Sequence, residues 1–168
     1  HSLAFAEQKD LQMDFSSTSR VGFAKAHEIS AYSLLPLVEG IAPMMKKRGG
    51  GSIISMSFIG SNLAVPHYHV MGPAKASLEA SSRYLARELG PDNIRVNVVS
   101  SGAIKTLSSA GIKDFAELMR IGAEHSAMKR TVTQDEVAQT ALFLVSEASS
   151  GITGQVIYVD CGYSIMAN

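Results

Sequence analysis

Apolar and polar positions along the chain follow two different periods, and the changes between them lay out the elements. Gly49-Gly50-Gly51 forms a turn, after which Ser52-Ile53-Ile54-Ser55-Met56-Ser57 reads as a short buried strand. Ala74, Leu78, Leu85 and Leu89 then fall on one stripe of a helix whose first turn suits Pro73 and whose end is marked by Gly90-Pro91. A second strand is predicted over 94–99. Strand, loop, helix and strand in that order make a βαβ unit of a parallel sheet.

The flanking segments extend the pattern. Residues 19–47 read as helical, with Phe23, His27, Ile29, Leu34, Leu37, Val38 and Ile41 apolar or nearly so, and Pro36 inside the pattern is expected to kink or break it into two pieces rather than one straight helix. Thr133-x-x-Glu136 is a capping box that opens a last helix, with Val137, Ala141, Leu144 and Val145 on one face. Residues 151–154 turn into a closing strand, Val156-Ile157-Tyr158-Val159. The fold class expected is α/β, a doubly wound parallel sheet of Rossmann type, in a single domain over residues 1–168. Functional residues of such sheets sit beyond the carboxyl ends of the strands, the edge that holds Tyr68 and residues 55–57.

Composition narrows the classes. A chain of 168 residues, 46% hydrophobic and 18% charged, can bury one sizeable core. No apolar run approaches the length of a spanning helix, and no signal segment opens the chain. The formal charge is zero and no basic block occurs, so nothing favours nucleic acid or an anionic membrane surface. One cysteine, Cys161, excludes an internal disulfide and a multi-cysteine metal site, which fits a cytoplasmic protein.

The candidate chemistry centres on Tyr68-His-Val-Met-Gly-Pro-Ala-Lys75-Ala-Ser. On a helix, or a turn feeding one, the Tyr68–Lys75 spacing is about two turns and roughly 10 Å of rise, which puts both side chains on one face. The Lys75 stem leans back toward Tyr68. An ammonium there is expected to favour the phenolate and make the phenol a usable proton donor or oxyanion partner near neutral pH. A chance pair on an exposed face has the same spacing. His67-x-His69 lacks the third and fourth ligands of a zinc site, so no metal is expected and the pair reads as loop chemistry beside Tyr68. His27 and Cys161 read as packed side chains, and no Gly-x-Ser-x-Gly nucleophile motif occurs.

Four separated stretches together carry a resemblance: His1-Ser2-Leu3-Ala4-Phe5-Ala6, Tyr68-x6-Lys75, Ile104-Lys105-Thr106-Leu107 and Gly111-Ile112-Lys113-Asp114-Phe115. The chain resembles bacterial enoyl-acyl carrier protein reductases of the short-chain dehydrogenase/reductase superfamily. The commoner superfamily pattern, Tyr-x3-Lys, is absent because position 72 is Gly. The resemblance implies reduction of the C=C bond of an enoyl thioester by NADH in fatty-acid synthesis, with the enoyl-acyl carrier protein as partner and a homo-oligomer, a dimer of dimers. A carbonyl reductase of the same superfamily and an inactive fragment that only associates are the alternatives. By resemblance the chain begins as if cut after a strand, without the first strands and Gly-rich turn of the fold, and by itself is expected to be inactive.

The same resemblance implies the site residues. Tyr68 and Lys75 are the catalytic pair. Ser2, Leu3, Lys75, Ile104 and Thr106 border the cofactor. Ala4, Phe5, Phe58, Tyr68, Met71, Ser108, Ile112 and Phe115 border the substrate. Residues 107–128 form a lid over the acyl chain, although their apolar spacing would serve a core helix equally. Four positions depart from the family pattern: Phe58, where a second Tyr is common, Ser101 in place of Ala, Ala103 in place of Pro, and Cys161 in place of Gly. Losing the Pro at 103 frees the loop backbone near the expected cofactor contact.

Overall fold

The computed structural model describes residues 1–106, 109 and 114–167. Three parallel strands, β1 (Gly51–Phe58), β2 (Ile94–Ser101) and β3 (Val156–Val159), form a sheet in the order β1-β2-β3. The helices are α1 (Gln8–Gln12), α2 (Arg20–His27), α3 (Leu34–Lys47), α4 (Met71–Leu89), α5 (Phe115–His125) and α6 (Gln134–Val145). Both crossovers are helical, as parallel pairing requires.

Successive strand residues face opposite sides, so the sheet buries two layers. Ile53, Ile94 and Val96 pack with Leu78, Leu85 and Leu89 of α4 and with Leu34 and Val38 of α3. Ile54, Met56 and Val99 pack on the other face with Val137 and Leu144 of α6. Helices on both faces of a parallel sheet are the doubly wound arrangement expected from the pattern. All four residues of the α4 stripe, Ala74, Leu78, Leu85 and Leu89, are buried.

Two details differ from expectation. The break in the 19–47 helix lies at Ser33, after a π-helical turn at Glu28–Tyr32, rather than at Pro36. Pro36 occupies the first turn of α3, where a missing N–H leaves no intrahelical bond unmade. The capping box of α6 forms, with Glu136 N–H donating to Thr133 Oγ1 and Thr133 N–H to Glu136 Oε2. Val145, expected on the buried face of that helix, is instead exposed, while its neighbour Leu144 takes the buried position.

Hydrogen bonds from the N-terminal segment lie along the free edge of β1. The His1 amine donates to the Ile54 carbonyl at 2.7 Å, and Met56 N–H donates to the His1 carbonyl at 2.9 Å. Further on, Phe5 N–H donates to Ser30 Oγ at 2.9 Å. Those bonds set the start of the chain beside the carboxyl end of β1, where the site is found.

Candidate active site

The turn into α4 positions Tyr68. Its N–H donates to the Val65 carbonyl and its carbonyl accepts from Met71 N–H, so the residue is fixed just before the helix begins. Gly60 makes room for the ring: a Cβ there would stand 2.4 Å from Tyr68 Cδ1. Phe58, at the end of β1, lies against it with ring centroids 4.9 Å apart and planes tilted by 59°. Gly72 is a second close approach, since a Cβ would meet the Gly60 carbonyl oxygen at 2.7 Å. The Gly60 backbone therefore leaves no room for a side chain at position 72.

Lys75 lies in the second turn of α4 and is buried, its Nζ donating to the Met56 carbonyl at 2.8 Å. Glu79, one turn further, is also buried, and it accepts from Ser57 Oγ. The two heads are thus held by consecutive residues at the carboxyl end of β1.

A cavity of about 500 Å³ opens at this edge, lined by Ser2, Ala4, Phe58, Tyr68, Lys75, Ile104, Thr106 and Phe115 among others. Eight of the residues named from the sequence therefore share one space. Leu3 and Phe5 are not among its lining residues: in this extended stretch Ser2 and Ala4 line it, while Leu3 is exposed and Phe5 lies under the Lys25 ammonium at 4.8 Å. Met71 is buried in the cluster behind Tyr68, where its sulfur accepts from Ser30 Oγ. Ser108 and Ile112 lie outside the described residues, as does part of the expected lid; α5 supplies Phe115 from its first turn.

Sequence reasoning missed Met56 as a carbonyl acceptor, and it missed Ser109, Gln134 and Glu79. Ser109 clasps Thr106, with Thr106 N–H donating to Ser109 Oγ at 2.8 Å and Ser109 N–H to Thr106 Oγ1 at 3.1 Å. Gln134 Nε2 donates to the Lys105 carbonyl at 2.8 Å, and Gly102 N–H to the Val159 carbonyl at 2.9 Å. The loop after β2 is thereby tied at three points despite Ala103 standing where Pro was expected. Ser101 lines the cavity as well.

The electrostatics correct one expectation. Burial and the nearby Glu79 carboxylate push the Tyr68 phenol above its usual range, rather than toward the phenolate. Burial brings Lys75 down to about 8, with Glu79 acting in the opposite direction. Desolvation favours the neutral phenol, and the sequence spacing carried no sign of a buried anion one turn beyond the lysine. Tyr68 consequently keeps its proton across the neutral range, so its O–H can donate a hydrogen bond. At neutral pH Lys75 is still mostly charged.

Elsewhere, His67 and His69 both have positive φ, 59° and 30°, and His67 Nε2 stands 3.8 Å from Asp114 Oδ2. Among the described residues there is no group of three His, Cys, Asp or Glu side chains able to hold a metal. Cys161 is buried with φ +57°, a left-handed conformation that suits Gly, and burial pushes its thiol up. No helix among the described residues is long and apolar enough to cross a membrane.

Comparison with known proteins agrees with this geometry. The family model described as enoyl-(acyl carrier protein) reductase matches residues 1–164. A protein of Nostoc sp. named enoyl-(acyl-carrier-protein) reductase (NADH) FabI is 54% identical over 166 residues, which are 99% of this chain and 64% of that relative. A Staphylococcus aureus relative named as the NADPH form of FabI is 48% identical over 97% of this chain and 63% of its own length. The crystal structure of the Bacillus cereus enoyl-acyl carrier protein reductase with NADP+ and indole naphthyridinone superposes with a TM-score of 0.95 at 45% identity, covering 100% of this chain and 65% of that one. The chain thus spans just under two thirds of the length of these relatives. With a family match over nearly its whole length and the Tyr68–Lys75 pair at the sheet edge, the chain belongs to the enoyl-(acyl carrier protein) reductase family.

Proposed function

We propose that this chain carries the reacting end of an NADH-dependent reductase of enoyl thioesters bound to acyl carrier protein, acting in fatty-acid synthesis in the cytoplasm. The observation that carries the reading is the shared cavity, in which a protonated Tyr68 hydroxyl, the Lys75 ammonium and the Ser2, Ile104 and Thr106 wall meet beyond the carboxyl ends of β1 and β2. The residues fit the nicotinamide-ribose end of a cofactor. Lys75 uses one of its three N–H donors on Met56, which leaves two for ribose hydroxyls in the cavity it lines. When bound, the cofactor supplies a hydride to the β-carbon of the substrate.

Tyr68 then acts where charge develops. As the thioester carbonyl oxygen becomes an enolate oxygen, the Tyr68 O–H donates to it, and a preorganised donor stabilises that charge far better than water does. Lys75 holds the ribose and supplies positive potential beside the same oxygen. Phe58 packs on Tyr68 and shapes the acyl side together with Phe115, which α5 brings to the cavity as the described part of the expected lid. Among the described residues that line the cavity Tyr68 is the one phenol, since Phe58 brings no hydroxyl.

Relatives include both NADH and NADPH forms, so cofactor choice rests on the resemblance rather than on the residues of this cavity. The experiment is a substrate comparison in a protein completed to the length of its relatives: an enoyl thioester and a 3-oxoacyl thioester are each offered with NADH. Reduction of the enoyl thioester alone is expected. Preferential reduction of the ketone would replace this reading with a carbonyl reductase, and turnover of neither would favour a role through association alone.

A further inference from the structure

Glu79 is a buried carboxylate that the proposed chemistry does not use. It stands on the sheet-facing side of α4 between Leu78 and Leu85, and it is 5% exposed. Taking an anion out of water is costly unless a charge or several donors compensate it. Among the described residues no cation lies within 4 Å of it, and its hydrogen bond comes from the Ser57 hydroxyl.

Its surroundings are polar in a way that the rest of this layer is not. Ser57 on β1, Ser100 on β2 and Tyr158 on β3 are register partners across the sheet. The Oγ atoms of Ser55 and Ser100 are buried there without partners. Lys75 is a cation on the same helix, four residues earlier, and its head and that of Glu79 are held by Met56 and Ser57 in turn. The ammonium is seated on one carbonyl and the carboxylate is clasped by the next residue's hydroxyl, so the two are held one helical turn apart without forming an ion pair.

We propose that Glu79 is a positioning residue of the site, which keeps Lys75 charged and seated on the Met56 carbonyl. The inference deepens the reading above, and it concerns a property of Lys75 that can be measured without turnover. Burial alone drives Lys75 toward its neutral form, and Glu79 opposes that. The other titratable groups facing this pair are Tyr68 from the turn before α4, Tyr158 from β3 and the His1 amine from the N-terminal segment; β1 and β2 present hydroxyls and carbonyls. None of those three carries negative charge at neutral pH, so Glu79 is the anion that sets the Lys75 proton affinity.

The test follows the Lys75 side chain by carbon NMR through a pH titration of the completed protein without cofactor, its signal assigned with Lys75→Arg. In Glu79→Gln the Lys75 midpoint is expected to fall by about one pH unit, and in Glu79→Asp to return most of the way. NADH affinity, read by calorimetry, should be lost on the alkaline side at a correspondingly lower pH. A Lys75 midpoint that does not move in a folded Glu79→Gln protein overturns the proposal. Should Glu79→Gln fail to fold, Ser57→Ala, which removes the hydroxyl clasping the carboxylate, must shift the midpoint, and no change there overturns it equally. A midpoint that falls while NADH affinity keeps its pH profile upholds the role of Glu79 and contradicts the assignment of Lys75 to the cofactor.

Discussion

Lys75 and Tyr68 show how far residue types and spacing reach. That the two share one face at a sheet edge was legible, because seven positions on a helical path bring side chains together whatever surrounds them. Their proton affinities were not, because these depend on burial and on Glu79, whose own burial no motif or spacing marks. The shifts lead to a stability prediction. Below about pH 8 Lys75 is charged in the folded and unfolded chain alike, and its burial cost is borne in full. Between about 8 and 10.5 the folded chain has released a proton that the unfolded chain still holds, so stability rises with pH. The rise attributable to this group is on the order of 3 kcal/mol. Above about pH 10 Tyr68 works the other way, since its raised phenol keeps a proton that the unfolded chain has lost. Urea unfolding between pH 7.5 and 9.5, to be run at roughly half-unit steps, should show the rise in the parent and none in Lys75→Met; an unchanged slope in Lys75→Met would contradict it. At the neighbouring ring, Phe58→Tyr adds a hydroxyl beside a donor already in place, and turnover should change by less than the roughly 10²-fold that a full oxyanion donor supplies.

At the scale of elements, the strands, α4 and α6 followed from periodicity, capping and Gly-Pro punctuation, since each buries one face against a sheet. The helix break at Ser33 did not. A π turn there satisfies the backbone without any breaker residue, while the visible Pro36 is harmless in a first turn. The exposed Val145 was missed for a related reason: helical phase groups neighbours on one face, and does not say which of Leu144 and Val145 meets the core. The contact of α4 with residues 59–61 is equally invisible in sequence, although Gly60 and Gly72 both serve it. Gly72→Ala should force the helix away from the Gly60 carbonyl at a cost of about 1–3 kcal/mol, and it should loosen the Tyr68 ring. Thermal unfolding with a crystal structure of the variant would check both effects; an unshifted midpoint with Tyr68 in place would show that the approach is less tight than 2.7 Å implies.

For the whole molecule, the two buried layers account for one face of most helices and leave others uncovered. Tyr32 and Tyr84 are 60% and 76% exposed, and Leu37 and Met44 on α3 are also open to solvent. Apolar surface of this kind is characteristic of an interface, and a symmetric assembly of identical chains would cover it. Light scattering of the completed protein at micromolar concentration should therefore give a dimer or larger, and a strict monomer would contradict the expected oligomer. The central claim is that the Tyr68 hydroxyl donates to the substrate oxygen while Lys75 serves the cofactor. It is tested most directly by Tyr68→Phe in the completed protein, with turnover of an enoyl thioester and NADH affinity measured on the same sample. Turnover should fall by about 10²-fold or more while NADH affinity stays unchanged; unchanged turnover, or a loss of NADH affinity as large as the loss of rate, would contradict it.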